Sequence, residues 1–387
     1  MSLVVDEHRE YLSDPVRISA FNRAINEVVK PGDIVLDLGS GTGILGLLAC
    51  RAGAERVYSI EEGGMIGLAR QICQANGLRE RVVFIKGLST HVDLPEKVDV
   101  VVADQIGQFG FNGGLLEYFS DARERFLKPG GKMVPSSLEL ILAPVESSAM
   151  WNQVEFWNKS PVGFDFGPAR TVAANTGYPA KFRPEELLSG PAQLISLDLA
   201  KATSIPFKME GCVTVSRNGC LHGIGGWFSA DLSPNVTMTN SPLAADSINR
   251  RNIFFPIDRP VDVVKGDCVR VMMHIVPTET MVTWKVEVWN EKKGDRSGKS
   301  SVCKAASKHS TFKGMLLCEE DLQRTQPGFV PKRTSWGEAR LSVLTLCDGQ
   351  RPLSEIEHEV FRRHPKLFHS LQEAATFVAE VVTRYSE

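Results

Sequence analysis

Three glycines, Gly39, Gly41 and Gly43, are spaced G-x-G-x-G, and an acid, Asp37, stands two residues ahead of the first. Residues of this kind cradle a small polar ligand. Glycine lets the backbone turn sharply and lets a ligand approach with no Cβ in the way. The first N–H groups of a following helix are unpaired and point at whatever sits in the turn, so a carboxylate, a ribose or a phosphate suits the place. A second acid, Glu61, closes the run Arg56-Val-Tyr-Ser-Ile-Glu61. An acid at that place accepts hydrogen bonds from ribose hydroxyls.

The elements that must hold these residues are legible around them. Ile34–Leu38 is apolar with one acid, as expected of a parallel strand covered on both faces. Ile44 to Arg51 reads as the helix after the turn. A dinucleotide fingerprint would run G-x-G-x-x-G. The compact spacing here, with its upstream acid, looks instead like the S-adenosylmethionine (SAM) version, and it argues against a nicotinamide oxidoreductase.

Alternation continues through strands Arg81–Gly87 and Val98–Asp104, with helices at Gly64–Ala75 and from Leu115 to Leu127. It predicts a doubly wound, Rossmann-like parallel sheet with right-handed crossovers. Ligands of such sheets lie outside the carboxyl ends of the strands. There the glycine turn, Glu61, Gly87-Leu-Ser-Thr-His91 and Asp104 meet. Residues 7 to 29 read as one helix, with His8 and Arg17 flanking the entrance. Asp104 admits two readings: a group that orients or deprotonates a methyl acceptor, or a solvated acid at a loop start. Gln105 and Gln108 add hydrogen-bonding capacity. His91 and His222 rank below as bases, and Trp227 reads as core or interface.

Beyond Pro144 the pattern changes. Short runs from Leu194 to Trp289 alternate apolar and polar residues, as in an antiparallel barrel or sandwich. Met150–Gly190 is irregular and aromatic, the character of a functional or interface arm. Glu291–Ser301 is polar, a hairpin tip or linker. A last unit begins near residue 310, with Phe312–Cys318 as a strand, Gly337–Cys347 as a helix, and capping boxes at Ser354/Glu357 and Ser370/Glu373. Short strands with three short helices suggest a winged-helix-like module. The expected division is thus 1–143 Rossmann-like, 144–309 β-barrel, 310–387 winged-helix-like.

The chain has 387 residues and a formal net charge of -2, which argues against a general nucleic-acid or membrane-surface binder. The start, Met1-Ser-Leu-Val-Val-Asp6, carries no signal-peptide pattern. Eight cysteines are scattered without a C-x-x-C pair, so reduced thiols in a cytoplasmic protein are expected and no metal site.

With these pieces assembled, residues 7 to about 305 resemble the protein arginine methyltransferase family. The resemblance is carried by His8-Arg-Glu-Tyr-Leu-Ser-Asp-Pro-Val-Arg17, Val35–Gly46, Ile60-Glu61, Ala122–Gly131 and Gly163-Phe-Asp-Phe166. It implies that the N-terminal helix closes over SAM, with Arg17 on the cofactor's carboxylate, Glu61 on the ribose, and Ser89 and Thr90 beside the adenine. The cofactor set is then His8, Arg17, Asp37, Gly39, Ser40, Gly41, Thr42, Gly43, Glu61, Glu62, Ser89, Thr90 and Asp104, with Asp104 and Gln105 as the catalytic pair. It also implies a homodimer through the barrel and residues 150–190.

Departures bear on the acceptor. The family's two guanidinium-holding glutamates fall at Asp104 and Gly113 here, and its Thr-His-Trp loop falls at Ser247-Ile248-Asn249. A guanidinium fork is suited to two carboxylates. Ser342–Ile356 resembles the PqqD-like RiPP recognition element, which implies leader-peptide binding by strand addition; a plain winged-helix cap or dimer element is the other reading. The expectation is therefore a SAM-dependent methyltransferase acting on a peptide, a ribosomally made precursor recruited by the C-terminal unit. The alternatives are a protein arginine N-methyltransferase and a non-catalytic SAM-binding peptide binder.

Overall fold

The computed structural model describes residues 4–290 and 302–386; the polar stretch Glu291–Ser301 lies outside them. The chain divides into two compact units, Met1–Met315 and Leu316–Glu387.

The first unit opens with helices α1 (Val4–Leu12) and α2 (Pro15–Val28). One helix was expected over 7–29. Asp14-Pro15 divides it, because Pro15 suits only the first turn of a helix and Asp14 caps that turn through Val16 and Arg17 N–H, both 3.1 Å away. Next come β1 (Ile34–Leu38), α3 (Ile44–Ala52), β2 (Arg56–Glu61), α4 (Met65–Ala75), β3 (Val82–Lys86), β4 (Val98–Ala103), α5 (Leu115–Arg125) and β5 (Leu127–Val134). The sheet is parallel in the order β3-β2-β1-β4-β5, so the chain reverses direction between β1 and β4. β1 and β4 are central and buried, which their Val- and Leu-rich runs require. The carboxyl ends of β1 and β4 therefore open on one crevice, as ligand sites in such sheets do.

Ten further strands follow: β6 (Ser137–Val145), β7 (Tyr178–Ala180), β8 (Ala192–Asp198), β9 (Phe207–Thr214), β10 (Gly219–Ser233), β11 (Val236–Thr239), β12 (Asn252–Val263), β13 (Cys268–Val276), β14 (Met281–Asn290) and β15 (Val302–Ser310). They form two antiparallel, barrel-like sheets, β7-β12-β10-β6-β8 with β11 on β10, and β15-β14-β13-β9. Phe255 and Trp284 join the sheets, ring centroids 5.1 Å apart, and the Trp284 indole N–H donates to Pro256 O at 2.8 Å. Trp227 is 1% exposed and belongs to the core. Residues 150–190 are more regular than expected, with α6 (Ser148–Glu155) and α7 (Gly167–Ala174).

Two expectations are corrected here. Cys212 on β9 and Cys268 on β13 form a disulfide. The strand register sets Cys268 opposite Thr214 and Arg270 opposite Cys212, a diagonal neighbourhood that 56 residues of separation conceal. Phe312–Cys318 is not a strand: a short 3-10 turn at Thr311–Gly314 ends β15, and Phe312, Met315 and Leu316 are exposed, with no strand among the described residues paired to them.

The second unit consists of α8 (Glu319–Arg324), α9 (Ser335–Leu346), α10 (Leu353–Arg363) and α11 (Leu371–Tyr385), the last three packed around Val343, Val360 and Val378. Among its described residues there is no strand, so it offers no sheet edge of its own for strand addition. Pro352, not Ser354, stands at the N-cap of α10, two residues earlier, and its fixed φ starts the helix without a side-chain cap. Ser370 does cap α11, accepting from Glu373 N at 3.2 Å, while the Glu373 carboxylate reaches back to His369 N at 2.7 Å.

Candidate functional site

The glycine turn lies where the spacing placed it, between β1 and α3. Gly39, Gly41 and Gly43 all have positive φ, of 60°, 52° and 80°. The turn is also crowded: a Cβ on Gly41 would strike the His8 ring from α1, and one on Gly39 would strike the Gln105 side-chain amide. Glu61 accepts the Gly41 N–H at 3.0 Å and the Gly63 N–H at 2.8 Å, so the acid at the end of β2 is bound into the turn. Gly87 N–H donates to Glu61 O at 3.1 Å, which brings the Ser89–His91 turn alongside. There Ser89 is buried, Thr90 is half-buried and His91 is exposed; Arg125 holds the segment through Ser89 O at 2.5 Å and Val92 O at 2.9 Å. Glu62 is exposed. His8 and Thr42 line a hollow of about 430 Å³ with Met65 and Leu68.

Asp37 serves the scaffold. It is fully buried, and its Oδ2 accepts Gly46 N–H at 2.9 Å, fixing the first turn of α3. Burial, with Glu61 nearby, pushes its pKa up to about 7 despite the Gly46 bond.

Asp104 follows β4, beside the glycine turn, and is not solvated. Its side chain is 5% exposed. Arg17 Nε donates to Oδ2. Arg250 donates Nη1 to Oδ1 at 3.0 Å and Nη2 to Oδ2 at 2.9 Å, a fork-to-fork pair. Burial alone would raise the pKa of Asp104; the Arg250 and Arg17 guanidinia outweigh it and hold the group below the ordinary carboxylate value. A carboxylate so held orients cations well and takes up protons poorly. The Tyr11 ring covers both guanidinia, 5.0 Å from Arg17 and 5.7 Å from Arg250, and Phe228 lies 5.9 Å from Arg250.

The loop from Asp104 to Gly114 is anchored by its own sequence. Asn112 Oδ1 accepts Gln108 N–H and Phe109 N–H at 2.9 and 3.0 Å. Phe109 and Phe111 are buried, and Phe109 packs against Phe255, centroids 5.6 Å apart. Asn240, 2% exposed, donates to Gln108 O and to Arg251 O, both at 2.9 Å, joining this loop to the one that carries Arg250. At Gly113 any Cβ would collide with Gln105 O, so this backbone admits no side chain where the family has its second glutamate.

Of the residues expected, Arg17, Asp104, Gln105, His8 and Glu61 converge on the turn. His222 does not; it lies on β10 against Trp151, and burial lowers its pKa. Sequence reasoning missed Arg250, Tyr11 and Asn240. The available signal was Arg250 directly after Ser247-Ile248-Asn249.

The model for the "arginine methyltransferase oligomerization subdomain" matches residues 137–295, and that for ribosomal protein L11 methyltransferase matches 22–138. Protein arginine N-methyltransferase 6 of Xenopus tropicalis is 31% identical over 273 residues, 67% of this chain and 80% of that protein. The chain belongs to the protein arginine N-methyltransferase family. The arginine Nω-methyltransferase of Streptomyces achromogenes subsp. streptozoticus is 31% identical over 69% of this chain and 75% of its own length. Among solved structures, Arabidopsis thaliana protein arginine methyltransferase 10 superposes with a TM-score of 0.66 at 25% identity, covering 79% of this chain and 97% of that one. The Trypanosoma brucei PRMT1 enzyme–prozyme complex with AdoHcy shares the fold, TM-score 0.68 at 20% identity, over 78% of this chain and 97% of that one. Membership makes this protein a SAM-dependent methyltransferase. The site accords with the cofactor: buried Ser40 Oγ and Gln105 Oε1, at the turn, have no partner among the described residues, and a Cβ on Gly39 or Gly41 would run into Gln105 or His8.

Proposed function

We propose that this family member transfers a methyl group from SAM to an arginine side chain of a polypeptide. The observation that carries this reading is Asp104, placed beside the cofactor turn with a guanidinium seated fork-to-fork on it. The carboxylate has the setting and geometry that a planar guanidinium requires. Arg17, His8, the Gly39–Gly43 turn, Glu61, Glu62, Ser89 and Thr90 would hold the cofactor. When bound, it supplies a methyl group on a sulfonium, open to in-line attack. The chain's part is orientation: Asp104 sets the acceptor's plane, with the Gln105 side chain lying against Gly39 of the turn, so alignment supplies much of the rate. Incubation with arginine-bearing peptides and SAM, read by mass spectrometry, is expected to yield methylarginine; methyl groups confined to other residues would refute the arginine assignment.

Gly113 favours a second reading, a peptide acceptor other than arginine, because the site has one carboxylate where a guanidinium is suited to two. Under either reading the helical C-terminal unit is a candidate recruiter of peptide. A cavity of about 520 Å³ on it is lined by Trp336, Phe368, Phe377, Arg340 and Glu380. Trp336→Ala should weaken turnover of long peptides and spare short ones; equal effects on both would exclude recruitment there.

The segment 150–190 carries exposed Val162 (90%) and Phe164 (67%), which suits it to an arm against a second copy.

A further inference from the structure

We propose that Arg250 is an internal competitor for the acceptor pocket: its guanidinium occupies Asp104 and must be displaced before an acceptor can bind there. This rests on the reading of Asp104 as the group that receives an arginine acceptor. Three observations support it.

The first is occupancy. Arg250 takes both oxygens of Asp104 through two parallel bonds, with the pair 11% and 5% exposed. An acceptor cannot use that carboxylate while Arg250 holds it. The second is charge. Arg17 also donates to Asp104, so two guanidinia already share one carboxylate. Gly113 contributes no second acid, and its backbone admits none. A third cation therefore enters only if one leaves. The third is the freedom to leave. The backbone flanking Arg250 is tied down, with Asn249 N–H on Asp14 Oδ2 at 2.6 Å and Arg251 O on Asn240 at 2.9 Å. The tether holds the loop, while the long side chain keeps its own rotatable bonds. Its covering ring, Tyr11, is 44% exposed on α1, so the guanidinium lies one aromatic layer from solvent.

Selectivity follows from bond geometry. A substrate guanidinium replaces two parallel hydrogen bonds with two of the same kind, so the exchange is nearly balanced. A lysine ammonium is a point charge and replaces a bidentate contact with a weaker one. Arg250 thus raises the concentration of any cationic acceptor needed to fill the pocket, while the preference for a guanidinium over an ammonium comes from Asp104.

The test uses the full chain with S-adenosylhomocysteine bound, and calorimetric titration with an arginine peptide and its lysine counterpart. Arg250→Ala should bind the arginine peptide roughly ten- to a hundredfold more tightly than the unaltered chain, the scale of releasing a charge-assisted competitor. Arg250→Lys, which keeps the charge without the fork, should gain less. The lysine peptide should bind both proteins more weakly than the arginine peptide does and gain by a similar factor on Arg250→Ala, since both acceptors displace the same guanidinium. Unchanged or weaker arginine-peptide binding in variants that still unfold cooperatively overturns the proposal; if Arg250→Ala does not fold, Arg250→Lys decides. Mass spectrometry of the same mixtures with SAM separates the two levels. Tighter binding without methylarginine leaves the gate standing and removes the functional reading. Methylarginine without tighter binding does the reverse.

Discussion

Asp14 joins the N-terminal helix to the barrel loop: Oδ1 caps α2 through Val16 and Arg17 N–H, and Oδ2 accepts the Asn249 N–H at 2.6 Å. One carboxylate thus positions both arginines of the Asp104 cluster, Arg17 on α2 and Arg250 beside Asn249. Asp14→Ala should lose about 1–2 kcal/mol of stability from the cap alone and should raise KM for the cofactor, because Arg17 loses its anchored first turn. Asp14→Asn should retain the cap, since asparagine caps helices as well as aspartate, and should recover most of the melting temperature. Denaturation curves and steady-state kinetics on both variants check this; an Asp14→Ala enzyme with an ordinary KM for the cofactor would separate the cap from the site.

Asp37 gives the folded state a distinctive pH dependence. Its pKa is raised by burial to about 7, against 3.8 for the ordinary group. A folded state that holds a proton more tightly than the unfolded chain loses stability as pH climbs from the lower value to the higher. The contribution is fully present below about pH 4 and is lost through pH 7, on the order of 4 kcal/mol in all. Asp37→Asn should remove this slope and melt higher than the unaltered chain above pH 7. Melting temperature recorded from pH 4 to 9 in both proteins is the measurement, and parallel profiles would mean that Asp37 does not titrate in this range.

Gly41 has φ +52°, and a side chain there meets His8. Gly41→Val should abolish measurable SAM binding while the sheet, whose strands it does not touch, still unfolds cooperatively. Retained affinity by calorimetry would move the cofactor away from the turn.

The exposed apolar tip of residues 150–190 predicts self-association. Replacing Val162 and Phe164 with aspartate should convert a dimer to a monomer in sedimentation velocity. The unaltered chain sedimenting as a monomer at micromolar concentration would remove the arm from that role.

How much was legible follows from the range of each signal. The parallel sheet was readable because its strands are short apolar runs separated by helical periods and glycine turns, all local features. The glycine turn and the acid that closes β2 were readable for the same reason, whereas Arg17 was given its role only through the family resemblance. The break at Asp14-Pro15 was also local, and the strong helical pattern on both sides masked it. The strand expected at Phe312–Cys318 failed because a strand needs a partner, and no run of apolar residues guarantees one. The Cys212–Cys268 bridge depended on the register of β9 against β13, which no spacing reveals.

The sequence by itself determined the Rossmann-like sheet, the barrel strands and the glycine turn, since these rest on periodicity and on backbone conformations that only glycine adopts easily. Tertiary structure decided the state of Asp104. Arg17, Asp104 and Arg250 stand 87 and 146 residues apart, and electrostatic pairing depends on distance through space. From the sequence, Asp104 could be an exposed acid or a working one. Folding buries it between two guanidinia, and that turns the question of the acceptor into a question about Arg250.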